Sequence, residues 1–170
     1  MFELVKMRRA QRACNDLQQV LAAFSDSQEM TLALNDEPYP YAVTVNYAPM
    51  IRDNELFLLF HGAQKGRKYE LLKKDGRCAF TMTIRTQVEL KEQSWESTNF
   101  FRSICGDGTV HFLEEEQALE ALVVLMAHHG YSDEPQELSK LKEQLAAHLR
   151  GTQVFALKVE HAGLKENVQH

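Results

Sequence analysis

The sequence is poor in cysteine, and its 170 residues include only Cys14, Cys78 and Cys105. These are far apart and form no CxxC pair, so the pattern argues against a disulfide framework and the usual structural zinc sites. Apolar runs are also short, and none approaches the ~20 residues that a transmembrane helix needs. The GxSxG, HExxH and GxGxxG motifs are missing, which argues against a nucleophile-elbow hydrolase, an HExxH metalloprotease and a Rossmann dinucleotide domain.

Basic residues are also fewer than acidic residues. Lys plus Arg number 19 and Asp plus Glu number 24, so the formal net charge is −5. Because a mildly acidic chain is not suited to general binding of nucleic acid or anionic membranes, we expect neither as a partner. The mixed, charged character of residues 1–12 is unlike a signal peptide, and unpaired cysteines suit a reducing compartment. We therefore expect a cytoplasmic protein.

Short strands dominate the predicted elements. Tyr41–Tyr47 alternates large apolar with small or polar residues, which predicts a strand with one buried face and one face where a ligand can lie flat. Leu56–Phe60 is apolar throughout, which predicts a central strand covered on both sides. Few helices separate the six or seven predicted strands, so they should pair antiparallel in a barrel or sandwich with helices outside. We expect a single domain over residues 1–162, of the mainly β class.

Other segments give weaker predictions. Asn15 and Gln18 have the spacing of a capped helix that runs to about Phe24. The polar segment Arg85–Asn99 is interpreted as a strand edge plus a loop, and Val154–Val159 as the last strand. Residues 163–170 are polar, and we expect a frayed tail there.

The segment Gly62–Lys68 has the chemistry of an anion site. Its two glycines allow close backbone approach, and Arg67 and Lys68 begin a predicted helix, whose N-terminal N–H groups attract a phosphate. The spacing differs from that of a nucleotide P-loop, because Gly62 and Gly66 are too close and Tyr69 stands where Ser or Thr is needed. A surface turn followed by two solvated basic residues also fits this pattern.

Histidines offer two further candidates. His61 ends the apolar strand directly before the glycine turn, where it is either a hydrogen-bonded structural residue or a contact to a ligand. His128 and His129 are adjacent, so on a helix they point about 100° apart and share a metal poorly. A cation at a helix C-terminus is the simpler interpretation, and we expect no metal site.

Four segments together resemble a known family, and they follow in chain order: Met7–Ala10; Leu32–Asn35 leading to Pro38–Tyr47; Leu59–Lys68, with its His-Gly-x-x-x-Gly-Arg-Lys string; and Arg102–Gly106 followed by Leu125–Gly130. The chain resembles the FMN-binding split-barrel superfamily related to pyridoxamine 5'-phosphate oxidase, and within it the Nim-like nitroimidazole-resistance branch. The resemblance implies a six-stranded antiparallel split barrel that works as a homodimer, with FMN in clefts at the interface.

The resemblance also implies site residues. Val43, Thr44 and Val45 would lie along the flavin. The second flavin-contacting strand would end at Phe60, His61 and Gly62, while Arg67 and Lys68 would take the phosphate. His61 becomes the candidate catalytic residue, and Trp95, Phe101 or Ser103 would reach the cleft from the partner subunit.

For activity, the resemblance implies an FMN-dependent oxidoreductase acting on a small molecule, with nitro compounds as acceptors. A true pyridoxamine phosphate oxidase fits less well, because no second basic cluster is available for a substrate phosphate. Two alternatives stay open: a non-enzymatic flavin- or haem-binding module, and a dimeric structural domain with an empty cleft. Fold alone does not separate them, since function resides in the site.

Overall fold

The computed structural model describes residues 1–168, apart from the side chain of residue 148. The strands are β1 (Glu3–Leu4), β2 (Ala13–Cys14), β3 (Glu29–Leu34), β4 (Tyr41–Asn46), β5 (Ala48–Arg52), β6 (Glu55–Ala63), β7 (Arg77–Glu89), β8 (Thr98–Leu113) and β9 (Thr152–Asn167). The helices are α1 (Leu17–Ala23), α2 (Arg67–Lys74), α3 (Glu115–His128) and α4 (Pro135–His148). Among these residues, no helix combines the length and apolarity that crossing a membrane requires.

One sheet organises the molecule. Its main path has the order β4-β3-β7-β8-β9-β6-β5, every neighbouring pair along that path is antiparallel, and the short strands β1 and β2 pair with β9. The outermost strands, β4 and β5, are separated in sequence by Tyr47 alone. Because one residue joins the two ends of the path, the sheet must curl until they meet, and β4 contacts β6 across the gap. This confirms the mainly β, antiparallel split-barrel class with flanking helices.

Tyr47 closes the barrel at the junction of β4 and β5. It is fully buried, and its hydroxyl donates to the Phe24 carbonyl over 2.5 Å and lies 3.0 Å from Met82 Sδ. Burial, the largest influence, raises the pKa of Tyr47 well above its usual range, with a smaller contribution from the charge of Asp26. The phenol therefore stays neutral and joins the junction to two other elements.

Both faces of β6 are covered, as its apolar sequence predicts. Leu58 and Phe60 point into the barrel interior, while Leu59 packs on the outside under Leu122 and Leu125 of α3. The barrel therefore has two cores, one inside the sheet and one between the sheet and α3. Truncating a buried leucine in such a core typically costs about 2–5 kcal/mol.

Three sequence predictions need correction. The N-cap of α1 is Asp16 rather than Asn15, because the Asp16 carboxylate accepts from the backbone N–H groups of Gln18 and Gln19. The last strand extends far beyond Val154–Val159, and residues 163–167 are paired with β8 instead of frayed. Leu164 is fully buried there, while residues 169–170 of the expected tail lie outside the described residues.

The segment Arg85–Asn99 is more regular than predicted. It forms the outer part of a long β7–β8 hairpin, after a register irregularity at Thr83 and Arg85. Residues 86–89 of β7 pair only with β8, so this segment leaves the sheet as a two-stranded ribbon that we call the arm (residues 85–99). Leu90 and Trp95 near its tip are each 80% exposed.

Candidate functional site

Strand β4 presents a small and polar outer face beside a groove. Thr44 lies on this face, and its Oγ1 is 3.1 Å from Thr31 Oγ1 on the neighbouring strand. A cavity of about 590 Å³ runs along β3, β4 and β7 and includes Thr31, Thr44, Thr81 and Thr83 in its lining. Hydroxyls and open backbone along a shallow groove can accommodate a flat, partly polar ring.

The other two candidate residues of β4 face inward. Val45 is 8% exposed, and Val43 packs partly buried against the barrel interior. Because side chains alternate along a strand, only the backbone of these residues can meet a ligand in the groove. Thr44 is thus the side chain of this segment that faces the groove, and the placement of Val43, Thr44 and Val45 along a flavin stays a prediction.

The last side chains of β6 also alternate between the inner and outer faces of the sheet. Phe60 is fully buried, and its ring stacks on Phe155 with centroids 4.9 Å apart, so its side chain belongs to the core and not to the cleft. His61 points to the opposite face and is exposed. Its side chain has no hydrogen-bond partner among the described residues, which argues against the structural-histidine interpretation.

Lys68 lies against this end of β6. Its Nζ donates to the His61 carbonyl over 3.2 Å, and it is 5.5 Å and 5.8 Å from the ring centroids of Phe60 and Phe155. No carboxylate pairs with Lys68 in the described part of the chain. A Cβ on Gly62 would be 2.7 Å from Nζ, so this glycine provides the space that the ammonium group occupies. Burial lowers the pKa of Lys68.

Arg67 is held differently. Its Nε and Nη2 atoms donate to Asp36 Oδ2 over 2.7 Å and 2.6 Å, and its guanidinium carbon lies 4.7 Å above the centre of the Tyr41 ring. The hydrogen bond from Arg67 is the first cause that holds the pKa of Asp36 below its usual value. Neither basic residue is therefore simply solvated, which disfavours the interpretation of a surface turn.

The start of α2 adds backbone donors. Gly66 precedes it with φ +102°, a conformation that side chains rarely adopt, and no side chain of the described residues caps this N-terminus. The N–H groups of the first helical turn therefore remain available to an anion. Arg67 and Lys68 add two cationic side chains at the same helix end, each with its own neighbours.

The surroundings of His61 favour the neutral form of its imidazole. Although its surface is exposed, the surrounding protein still desolvates it, and this effect, followed by the charges of Lys68 and His129, lowers its pKa. His128 Nε2 is 3.0 Å from the Ser27 carbonyl oxygen. The Nε2 atom of His129 is buried without a hydrogen-bond partner among the described residues. Of these two imidazoles at the end of α3, His129 is the one whose charge acts on His61.

In the described part of the chain, the start of α2 touches both strands, through Arg67 on Tyr41 of β4 and Lys68 on the His61 carbonyl of β6. Thr44 instead lines the groove along β3, β4 and β7. Sequence reasoning missed Asp36 and Tyr41, the partners of Arg67. The turn signal at Asn35–Pro38 predicts that Asp36 lies in a turn between two strands. No local signal connects Asp36 to Arg67, which is 31 positions later.

Comparison with known proteins identifies the family of the chain. The model of the family described as pyridoxamine 5'-phosphate oxidase matches residues 16–166, which confirms the resemblance seen in the sequence. No curated protein matches the chain in sequence.

Solved structures share the fold at low sequence identity. A Bacteroides thetaiotaomicron protein described as a 5-nitroimidazole antibiotic resistance protein has a TM-score of 0.69 and 19% identity, covering 90% of this chain and 85% of its own. The FAD and heme binding protein from Mycobacterium smegmatis has a TM-score of 0.71 and 17% identity, covering 93% and 74%. A flavocytochrome from Azotobacter vinelandii has a TM-score of 0.70 and 15% identity, covering 96% and 73%.

Proposed function

Because the chain belongs to the pyridoxamine 5'-phosphate oxidase family, we propose that it binds FMN in the β4–β6 gap and acts as an oxidoreductase on a small molecule. The observation that carries this proposal is that the uncapped start of α2 lies between the two strands, with Arg67 over Tyr41 of β4 and Lys68 donating to the His61 carbonyl of β6. An acidic protein that gathers these donors in one place has the chemistry to select a single anionic group.

The residues fit this cofactor by their donor chemistry. Arg67 and Lys68 would hold the phosphate, and Thr44 with the backbone of β4 would lie along the ring system. Gly62 supports the fit, because a side chain there would fill the space that Lys68 occupies. When bound, the flavin supplies the electron-transfer chemistry, while the protein orients it and shapes the cleft.

His61 is the residue we propose for proton handling. Reduction of a nitro group to a nitroso group takes two electrons and two protons and releases water, so a proton donor near the acceptor is required. A neutral imidazole carries one N–H donor and one free nitrogen, and the lowered pKa of His61 keeps it in this form near pH 7. Its free nitrogen can take a proton from solvent, and the imidazolium that forms can give a proton to an acceptor oxygen and return to the neutral ring.

We further propose that the protein is a homodimer with the cofactor cleft at its interface. Two observations support this: the small, polar outer face of β3, β4 and β7, and the arm with its exposed Leu90 and Trp95. A two-stranded ribbon is only marginally stable in water by itself, so a second subunit that covers it would stabilise it. The three free cysteines suit the cytoplasm, which we propose as its location.

A haem-binding module is the second candidate. The observation that favours it is the exposed imidazole of His61, which has no hydrogen-bond partner in the described part of the chain and is of the type that ligates haem iron. Two of the similar structures are a heme-binding protein and a flavocytochrome. Haem and flavin differ in absorption, so one spectrum of the reconstituted protein separates these candidates.

The deciding experiment has two stages. The purified protein is first titrated with FMN and with haemin, and we expect it to take up FMN with flavin absorption. A protein that takes up neither would refute both binding proposals. The flavin is then photoreduced without oxygen, and a nitroaromatic is added. We expect reoxidation faster than in free FMN, and an unchanged rate would remove the nitroreductase proposal while leaving flavin binding intact.

A further inference from the structure

Asp36 occupies a defined place beside the proposed phosphate site. It lies in the turn between β3 and β4, and its side chain is only 20% exposed. One carboxylate oxygen, Oδ1, accepts from the Glu37 backbone N–H over 2.9 Å, while the other, Oδ2, accepts both bonds from Arg67. The carboxylate is thus anchored to its own turn and reaches the first residue of α2.

The geometry at Arg67 leaves one edge of the guanidinium open. A guanidinium has five N–H donors in a planar fork. The edge formed by Nε and Nη2 faces Asp36, and one face of the plane lies over Tyr41. Among the described residues, both Nη1 protons and the second Nη2 proton have no acceptor and remain for a ligand. Two nitrogens along one edge are what a phosphate group binds in bidentate fashion.

We propose that Asp36 is a positioning residue that presents the open edge of Arg67 to the phosphate of the cofactor, and so makes the site select phosphorylated over unphosphorylated flavin. This inference rests on the proposed FMN binding and deepens it. A free arginine side chain must lose rotamer freedom when it binds a phosphate, and one already held by Asp36 and Tyr41 has lost much of it. Preorganisation of this kind strengthens the phosphate contact without touching the ring.

The competing view is that Asp36 blocks the site by neutralising Arg67. The two views predict opposite changes, because Asp36→Ala weakens FMN binding if the carboxylate positions Arg67 and strengthens it if the carboxylate competes with phosphate. The observed bonds favour positioning, since both come from one edge and converge on one oxygen.

The test compares FMN with riboflavin, which lacks the phosphate. Both dissociation constants are measured by fluorescence titration of the full chain for wild type and Asp36→Ala. We expect the preference for FMN over riboflavin to fall about three- to tenfold, the range expected for one immobilised side chain. Riboflavin affinity should stay unchanged, which a general structural defect would not allow. Asp36→Asn keeps an acceptor for Arg67 and should retain part of the preference.

Two controls complete the design. Asp75 pairs with Arg77 at 2.9 Å and accepts from Asn35 at 3.0 Å without contacting Arg67, so Asp75→Ala should leave the preference unchanged. In an Arg67→Ala background, Asp36→Ala should have no further effect, because a positioning residue acts only through its partner.

The outcomes separate the two proposals. A preference that is unchanged or increased in Asp36→Ala, in a wild type that binds FMN, overturns the positioning role alone. A wild type that binds neither flavin rejects the proposed function and this role together.

Discussion

Lys68 offers the sharpest test of the candidate site, because its role in binding and its role in stability are expected to differ. The substitution is Lys68→Met, which keeps a long apolar side chain beside Phe60 and Phe155 and removes the charge. A charge-assisted hydrogen bond contributes roughly 1.5–3 kcal/mol. Since about 1.4 kcal/mol is tenfold in affinity, we expect FMN to bind roughly ten- to a hundredfold more weakly.

The same variant should keep the stability of the flavin-free protein. Burial lowers the pKa of Lys68, so the folded state disfavours the charged form, and the charge costs stability at every pH below that lowered pKa. Neutral pH lies in this window, so removing the charge is not expected to destabilise the fold there. The lost bond to the His61 carbonyl is long, at 3.2 Å, and sulfur–aromatic contacts replace the cation–π contacts. We expect a net change within about 1 kcal/mol.

The assay pairs an FMN titration with urea denaturation of the flavin-free protein. Lys73 lies in the last turn of the same helix, so Lys73→Met is a control that removes one positive charge far from the site. This variant should alter FMN affinity by no more than about twofold, as expected for a screened surface charge. The reasoning is refuted if Lys68→Met binds FMN like wild type, or if it loses more than about 2 kcal/mol of unfolding free energy, a cost that is typical of a structural lysine in a buried network.

Three further predictions concern neighbouring residues. Gly62→Ala places a Cβ 2.7 Å from Lys68 Nζ; the flexible side chain should move away, and a titration should show weaker FMN binding at nearly constant urea midpoint. Tyr47→Phe leaves the buried carbonyl of Phe24 without its donor and should lower the unfolding free energy by about 1–3 kcal/mol, and an unchanged urea midpoint would contradict this. His61→Ala should slow reoxidation of reduced flavin by a nitroaromatic by about a hundredfold or more and spare FMN affinity. The wild-type rate should rise as pH drops through the lowered pKa of His61, because the imidazolium is the form that gives up a proton, and a pH profile that is the same in the variant would exclude this role.

Local sequence patterns predict the parts of the fold that depend on local burial. The alternation in β4 correctly separates Thr44 from its inward neighbours Val43 and Val45. The apolar run of β6 correctly predicts a strand covered on both faces, because a side chain on either face of such a strand needs an apolar neighbour. Both results follow from strand geometry alone, so no knowledge of the partner strand is needed.

Long-range pairing is what local patterns miss. The residues after Gly163 are mostly polar, yet they continue β9 because β8 is long enough to pair with them up to Asn167. The arm has the same origin, since β7 and β8 pair with each other far beyond the part of β7 that β3 covers. In both places the partner's length decides the structure, and composition carries no information about it.

The adjacent residues Arg67 and Lys68 show the same limit in the candidate site. A sequence pattern treats them as one basic pair, but the fold gives them different surroundings. Asp36 and Tyr41 hold the guanidinium, while the ammonium lies over aromatic rings with no carboxylate partner among the described residues. An unneutralised, partly buried charge has a cost in the free protein that a bound phosphate would offset, so Lys68 should contribute the larger share of the attraction for the phosphate. A charge already bound to a carboxylate contributes less net attraction but a fixed direction, so Arg67 should contribute the smaller share. The substitutions at Lys68 and Asp36 should therefore both lower the preference for FMN over riboflavin, Lys68→Met by more than Asp36→Ala.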